Sequence, residues 1–398
     1  MAKLGIIHVG LPKTGTSTIQ SALYENRQRL LSDHAMLYPG IAHNHTDSLH
    51  TMFAADPREH IQIMCQGTAD DAEITRVQHR NRFEAFIENA RQDWNTLIIS
   101  AEGLSNFNPR QLASVKEWTS QYVDQWKILF WARHPIHFTT SNVQQMIRGG
   151  RTLESLRIKE AMPNFRGRLE NLIQVFGKEA IDIQAFEKAS QGNGGLVAAF
   201  CRQLGLDEHS TKVISSGAPV KNQSMSYVAT MAINRLNLLR PLFIDGILNP
   251  TRTPDDANVL SRLPGPRFHL SPDMIEAVRS ASCEDVRWLN RNFNLNLYTD
   301  ILQTNAKCDE RTADIPVEAI DALVIAISDL IRSVKAAEET ARTFRQSKIS
   351  RKIRNWMNYL FGRTIFDASR LRSDRLYAET GFELSTRPAP RVSSPPAP

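Results

Sequence analysis

Apolar, β-branched residues gather in four short runs, at 3–9, 96–101, 126–131 and 180–186. A continuous apolar run bounded by polar loops is the pattern of a strand buried on both faces. Each run is followed by loop or helix-periodic sequence. After the first, Ile19, Leu23, Leu30 and Leu31 share one face of a helix predicted over 16–31. Strands and helices alternating at this spacing predict an α/β fold, a mostly parallel central sheet flanked by helices. The stretch 32–93 reads as an irregular, His-rich insertion that ends in a charged helix near 80–91. Helical periodicity returns at 225–242, 272–292 and 316–343, with Ser271 as a helix cap and Pro272 in the first turn. Five prolines between 387 and 398 mark a disordered tail. The division expected is an α/β domain over 1–305, a helical basic extension over 306–386 and the tail.

Composition narrows the class. With 398 residues, 41% of them hydrophobic, the chain can bury a sizeable core. It has no apolar stretch of about 18 residues that could span a membrane. Nor does its start carry the apolar region and cleavage site of a secretory signal. Cys65, Cys201, Cys283 and Cys308 are widely spaced, which excludes a disulfide scaffold or a zinc ribbon and fits a reducing compartment. A cytoplasmic protein is expected. The net charge of +6 is misleading, because 342–375 holds ten basic residues against Asp367 and Asp374. Everything else sums to −2, so the charge belongs to the extension and no nucleic-acid partner is expected. Within 345–366, Ile349, Ile353, Trp356 and Leu360 form an apolar stripe among cations. Such a helix either rests on an anionic membrane surface, here the inner face, or docks on protein.

The chemistry lies between the first strand and its helix, in His8-Val-Gly10-Leu-Pro12-Lys13-Thr14-Gly15-Thr16-Ser17-Thr18. Small residues let backbone curl around a phosphate, and N–H groups at a helix N-terminus point at the anion. Thr14, Thr16, Ser17 and Thr18 add hydroxyl donors, and Lys13 adds a cation. Gly10 and Gly15 have the Walker spacing, but Thr16 stands where the Walker lysine belongs. The segment resembles the 5′-phosphosulfate loop of sulfotransferases that use 3′-phosphoadenosine 5′-phosphosulfate (PAPS), and it is P-loop-like in that sense. That family carries a second signature, Arg-x-Pro with a serine eight residues after the arginine. Here it reads Arg133-His134-Pro135 and Ser141. The resemblance covers about residues 1–300. It implies that Lys13, Thr14, Gly15, Thr16, Ser17 and Thr18 hold the 5′ end of PAPS. Arg133 and Ser141 would hold its 3′-phosphate, where a guanidinium makes bidentate bonds. His134 and Val143 depart from the asparagine and aromatic common in relatives.

Transfer to an acceptor needs a base, and Glu102 follows the second predicted strand, where ligands gather in such sheets. Glycan-directed members of the resembled family use a glutamate in a comparable position. The expected activity is therefore sulfuryl transfer to a hydroxyl or amine of a carbohydrate or lipid-linked acceptor, catalysed by Lys13 and Glu102. No metal is required by this scheme. His43, His45, His50 and His60 match no zinc spacing, and they are expected in a polar loop over the acceptor. The alternatives are a small-molecule kinase of P-loop type and a non-catalytic glycan- or nucleotide-binding protein.

Overall fold

The structure is a computed structural model that describes residues 2–56, 72–90, 94–216, 224–253, 255–302 and 317–346. The chain begins with β1 (Leu4–His8), α1 (Thr16–Glu25), α2 (Arg27–His34) and β2 (Met36–Leu37). Next come α3 (Thr46–Phe53), α4 (Ala72–Asn89), β3 (Thr96–Ser100) and α5 (Pro109–Thr119). The middle holds β4 (Gln125–Ala132), α6 (Pro135–Arg148), α7 (Phe165–Phe176) and β5 (Ile181–Ala185). Three helices follow, α8 (Phe186–Gln191), α9 (Gly195–Gln203) and α10 (Glu208–Ser216). Then α11 (Tyr227–Leu239) leads into a hairpin of β6 (Phe243–Ile244) and β7 (Ile247–Leu248). The last helices are α12 (Asp255–Leu260), α13 (Pro272–Phe293) and α14 (Val317–Gln346).

The first five strands form one parallel sheet in the order β2-β3-β1-β4-β5. This is the α/β architecture that the apolar runs predict. Residues alternate between its faces, as a two-residue period requires. Ile7, Leu97, Ile99, Ile128 and Phe130 join one core, with Phe83, Trp118, Phe165 and Leu169 from helices. Ile6, Ile98, Leu129 and Trp131 join the other, under Ile19, Leu23, Phe200 and Ile214. A third core gathers Val143 and Ile147 of α6 with residues of α11, α12, α13 and α14.

Two expectations change. The helix predicted over 16–31 is two helices, because Asn26 leaves helical geometry and gives both its N–H and its side-chain amide to the Ala22 carbonyl. In the 32–93 insertion the charged helix expected near 80–91 is α4, starting earlier at Ala72, and the part read as irregular also contributes β2 and α3. Ser271 caps α13 as predicted, accepting from the Met274 N–H.

The chain divides into two units, Met1–Ile331 and Arg332–Pro398. Within the first, α14 is tied down by charge. Arg235 makes a two-pronged contact with Asp321, at 2.7 and 2.6 Å, and Arg240 pairs with Asp329. Beneath them Arg252 and Asp256 form a fully buried pair at 2.6 Å, to which Ser328 also donates. The stripe within 345–366 lies outside the described residues beyond Gln346, as do the Pro-rich tail and His60. No helix among the described residues is long and apolar enough to cross a membrane.

Two buried histidines make the fold acid-sensitive. His8 sits at the end of β1 against the Ser100 hydroxyl, and burial lowers its pKa to about 3. His45 contacts the Pro39 carbonyl and accepts the Ser100 N–H, and burial takes it to about 4. Both stay neutral in the folded chain at pH values where the unfolded chain, with the ordinary 6.5, binds protons. Their stabilisation is complete above pH 6.5 and is lost as the pH falls toward those lowered values. Each lowers stability by up to about 1.4 kcal/mol per pH unit in that window. Urea unfolding between pH 7.5 and 4.5 should show this decline, and stability that stays flat to pH 5 would contradict it.

Candidate active site

Parallel register brings the chemistry together. His8 pairs with Ser100 on one side and with Leu129 on the other, so β1 and β3 end together while β4 runs three residues further, to Ala132. β1 is central, and the chain leaves it for opposite sides of the sheet. That makes its carboxyl end a switch point, the usual place for a ligand crevice. The loop after β1, Glu102 after β3 and Arg133 after β4 all face this edge.

The loop is held in an unusual backbone path. Gly10, Lys13 and Gly15 have φ of 30°, 67° and 74°, and a non-glycine residue at positive φ is strained. Gly15 is also pressed against its surroundings, since a Cβ there would lie 2.0 Å from Leu196 Cδ2. Thr14 turns inward, and both its N–H and its hydroxyl donate to the Leu11 carbonyl. Thr16 gives its hydroxyl to Glu102. These two hydroxyls close the loop and anchor it to Glu102. The N–H groups of Thr16 and Ser17, in the first turn of α1, take no partner among the described residues.

Arg133 grips the same loop from β4. Its Nη1 donates to the Lys13 carbonyl, and its guanidinium lies 5.0 Å from the centre of the Phe186 ring. Its Nε is buried without a partner. Burial lowers the Arg133 pKa, and the nearby Glu187 carboxylate opposes that shift. Lys13 is shifted in the same direction. Its ammonium donates to Gln145 Oε1 at 2.7 Å, and burial with neighbouring Arg148 and Arg133 lowers its pKa. On the other side, burial raises the Glu102 pKa, opposed by the Thr16 hydroxyl and by Lys13.

A cavity of about 530 Å³ opens between these groups. Lys13, Gly15, Thr18, Arg133 and Ser141 line it, so five predicted residues share one wall. Thr14, Thr16 and Glu102 do not line it, and Ser17 is exposed. Two cationic groups were missed in the sequence. Arg148 lines the cavity from the end of α6, and Arg267 lines an adjoining space of about 160 Å³ with Arg133 and Ser141. Arg148 had a signal, because Ser141, Gln145 and Arg148 repeat at helical spacing. Arg267 had none, since it comes from a loop more than a hundred residues away.

Of the insertion's histidines that are described, none lines this cavity. His45 is buried beneath the Tyr38 and Phe83 rings, His43 stacks on Tyr24 at 3.9 Å, and His50 faces Phe107. Among the described residues no group of three His, Cys, Asp or Glu is placed to hold a metal. Glu187, just after β5, accepts the His134 N–H and the Tyr298 hydroxyl, which gives it a structural role.

No family model matches the chain, and no curated protein matches it. Among solved structures the chain is similar to a sulfotransferase from Alicyclobacillus acidocaldarius. Identity is 16%, the TM-score is 0.41, and the match covers 76% of this chain and all of that one. It is also similar to a sulfotransferase domain from the curacin biosynthetic pathway, at 11% identity and TM-score 0.30, covering 70% and 96%. A sulfotransferase domain from the Synechococcus PCC 7002 olefin synthase matches at 14% and 0.29, covering 70% and 94%. At these scores the likeness carries nothing about substrate or residue roles, which rest on the site itself.

The tight fit at Gly15 sets a comparison. Gly195 also has a positive φ, of 68°, but a Cβ there would meet nothing within 4 Å. Gly195→Ala should cost about 1 kcal/mol, the left-handed backbone penalty alone. Gly15→Ala incurs that penalty and also displaces Leu196, a wall of the cavity. Urea denaturation should rank Gly15→Ala as clearly the more destabilising change, and equal costs would contradict this packing.

Proposed function

We propose that this protein is a PAPS-dependent sulfotransferase acting on a hydroxyl or amine of a carbohydrate-like acceptor, free or lipid-linked. The observation that carries this reading is the cavity itself. One space is lined by Lys13, Gly15 and Thr18 from the loop and by Arg133 and Ser141 from β4 and α6. A nucleotide with anionic groups at both ends of its ribose suits such a wall. The unpartnered Arg133 Nε and the open N–H groups of α1 fit the donor's phosphates.

When bound, the donor supplies an activated sulfuryl group, whose bond to the 5′-phosphate breaks as the acceptor oxygen or nitrogen bonds to sulfur. Lys13 stabilises the charge that develops on the leaving phosphate, and the first turn of α1 shares that load. Arg133 and Ser141 fix the far end of the nucleotide and so orient it. Glu102 takes the acceptor's proton, with its carboxylate held in place by the Thr16 hydroxyl. A glutamate in this position is the feature of glycan-directed members of the family the sequence resembles. A P-loop kinase has less support, because the Walker lysine position holds Thr16.

Calorimetry tests the donor assignment. Adenosine 3′,5′-bisphosphate should bind far better than AMP, and Arg133→Ala should weaken the bisphosphate by about tenfold to a hundredfold. Equal wild-type affinity for the two nucleotides would sink the assignment.

The catalytic role of Glu102 has its own test. Glu102→Gln should lower turnover by about 10² or more with nucleotide affinity nearly unchanged. Since only the carboxylate can accept a proton, the wild-type rate should fall as the pH drops through a pKa raised above the ordinary carboxylate range. Lys13→Ala should damage both binding and turnover. A Gln variant with normal turnover would remove Glu102 from the mechanism.

A further inference from the structure

Arg133 is followed by a histidine, and His134 is drawn into a network that reaches the segment after α13. Its backbone N–H donates to Glu187 Oε1 at 3.0 Å. Its ring Nε2 lies 2.8 Å from Asp300 Oδ2, and the Tyr298 ring meets its edge with centres 5.4 Å apart. The Tyr298 hydroxyl donates to the second Glu187 oxygen at 3.3 Å, and His137 Nδ1 lies 3.7 Å from the first. Arg279 of α13 holds the Asp300 carbonyl at 2.7 Å. Tyr298 reaches this place through a left-handed backbone, φ 54°, which strains a bulky residue and so depends on contacts around it.

Glu187 therefore clamps the peptide that follows Arg133, while Tyr298 holds the clamp. The residue before Glu187 is Phe186, whose ring lies beside the Arg133 guanidinium. Position and direction of that guanidinium are thus fixed from both sides by groups that belong to this one network. Neither His134 nor Tyr298 lines the nucleotide cavity or the adjoining space. We propose that His134 and Tyr298 are positioning residues for the 3′-phosphate contact, acting through Glu187 to aim Arg133 without touching the nucleotide. This rests on the proposed donor assignment. It adds a specificity function to a segment, 298–300, that lies more than 160 residues beyond the arginine it serves.

The consequence is selective. A residue that merely stabilises the fold weakens every nucleotide alike, whereas one that aims Arg133 weakens only nucleotides carrying a 3′-phosphate. The test is calorimetric titration of the full chain with adenosine 3′,5′-bisphosphate and with AMP at pH 8. Tyr298→Phe removes one hydroxyl and changes no charge. It should weaken the bisphosphate by about threefold to tenfold, the scale of one lost hydrogen bond, and leave AMP unaffected. His134→Leu should do the same, and His134→Gln, which keeps a donor toward Asp300, should recover most of the loss. In an Arg133→Ala background Tyr298→Phe should have no further effect on the bisphosphate, because the group it aims is gone. Equal losses for both nucleotides, or an unchanged bisphosphate-to-AMP ratio in Tyr298→Phe, would overturn the inference. Those results differ from failure of the donor assignment, in which the wild-type protein itself shows no preference for the bisphosphate.

Discussion

Beyond its backbone bonds to β4, the loop after β1 is tied by one side-chain hydrogen bond toward each neighbouring strand. The geometry of the site depends on those two ties. On the β3 side the Thr16 hydroxyl binds Glu102, and on the β4 side Arg133 binds the Lys13 carbonyl. Both depend on the register that sets His8 beside Ser100 on one strand and Leu129 on the other. A one-residue slip in a strand would turn its side chains to the opposite face and separate the groups. The left-handed φ at Lys13 belongs to the turn that Thr14 closes on the Leu11 carbonyl, with Pro12 before it, and the two ties hold that turn in place.

The same two ties set the electrostatics. Lys13 and Arg133 are half-buried cations that line one cavity with Arg148, and partial burial lowers both pKa values. Cations gathered this closely repel one another, a repulsion that Glu102 and Glu187 offset in part. Glu102 is poised in the opposite sense, a carboxylate whose proton affinity is raised by burial and restrained by Thr16 and Lys13. Groups pushed from their ordinary pKa in opposite directions are a frequent mark of acid–base and anion chemistry in one crevice.

Much of this was legible in the sequence because it is local. The four long strands announce themselves as apolar runs, and the loop and the Arg-x-Pro segment each lie within a dozen residues. What was hidden depends on contacts between distant segments. Met36–Leu37 is too short to carry a strand pattern, and its place comes from pairing with β3. The break at Asn26 leaves the apolar spacing of 16–31 almost intact. His45 reads as polar loop, yet it fills a core position among aromatic rings. Thr14 and Thr16 look like ligand donors by composition, and only the folded loop shows their hydroxyls bonded to the Leu11 carbonyl and Glu102. Arg267, beside Arg133, and Tyr298 and Asp300, which pack on Glu187 and His134, come from a part of the chain whose pattern says only helix and loop.

The central claim is that these ties serve sulfuryl transfer, and the most direct measurement follows the sulfur itself. The protein is incubated with PAPS labelled in its sulfuryl group and a panel of glycan, lipid-linked glycan and phenol acceptors. The account predicts label on a carbohydrate-containing acceptor, one adenosine 3′,5′-bisphosphate released for each sulfate transferred, and loss of both with Lys13→Ala. Tight binding of the bisphosphate with no transfer to any acceptor in the panel would contradict it.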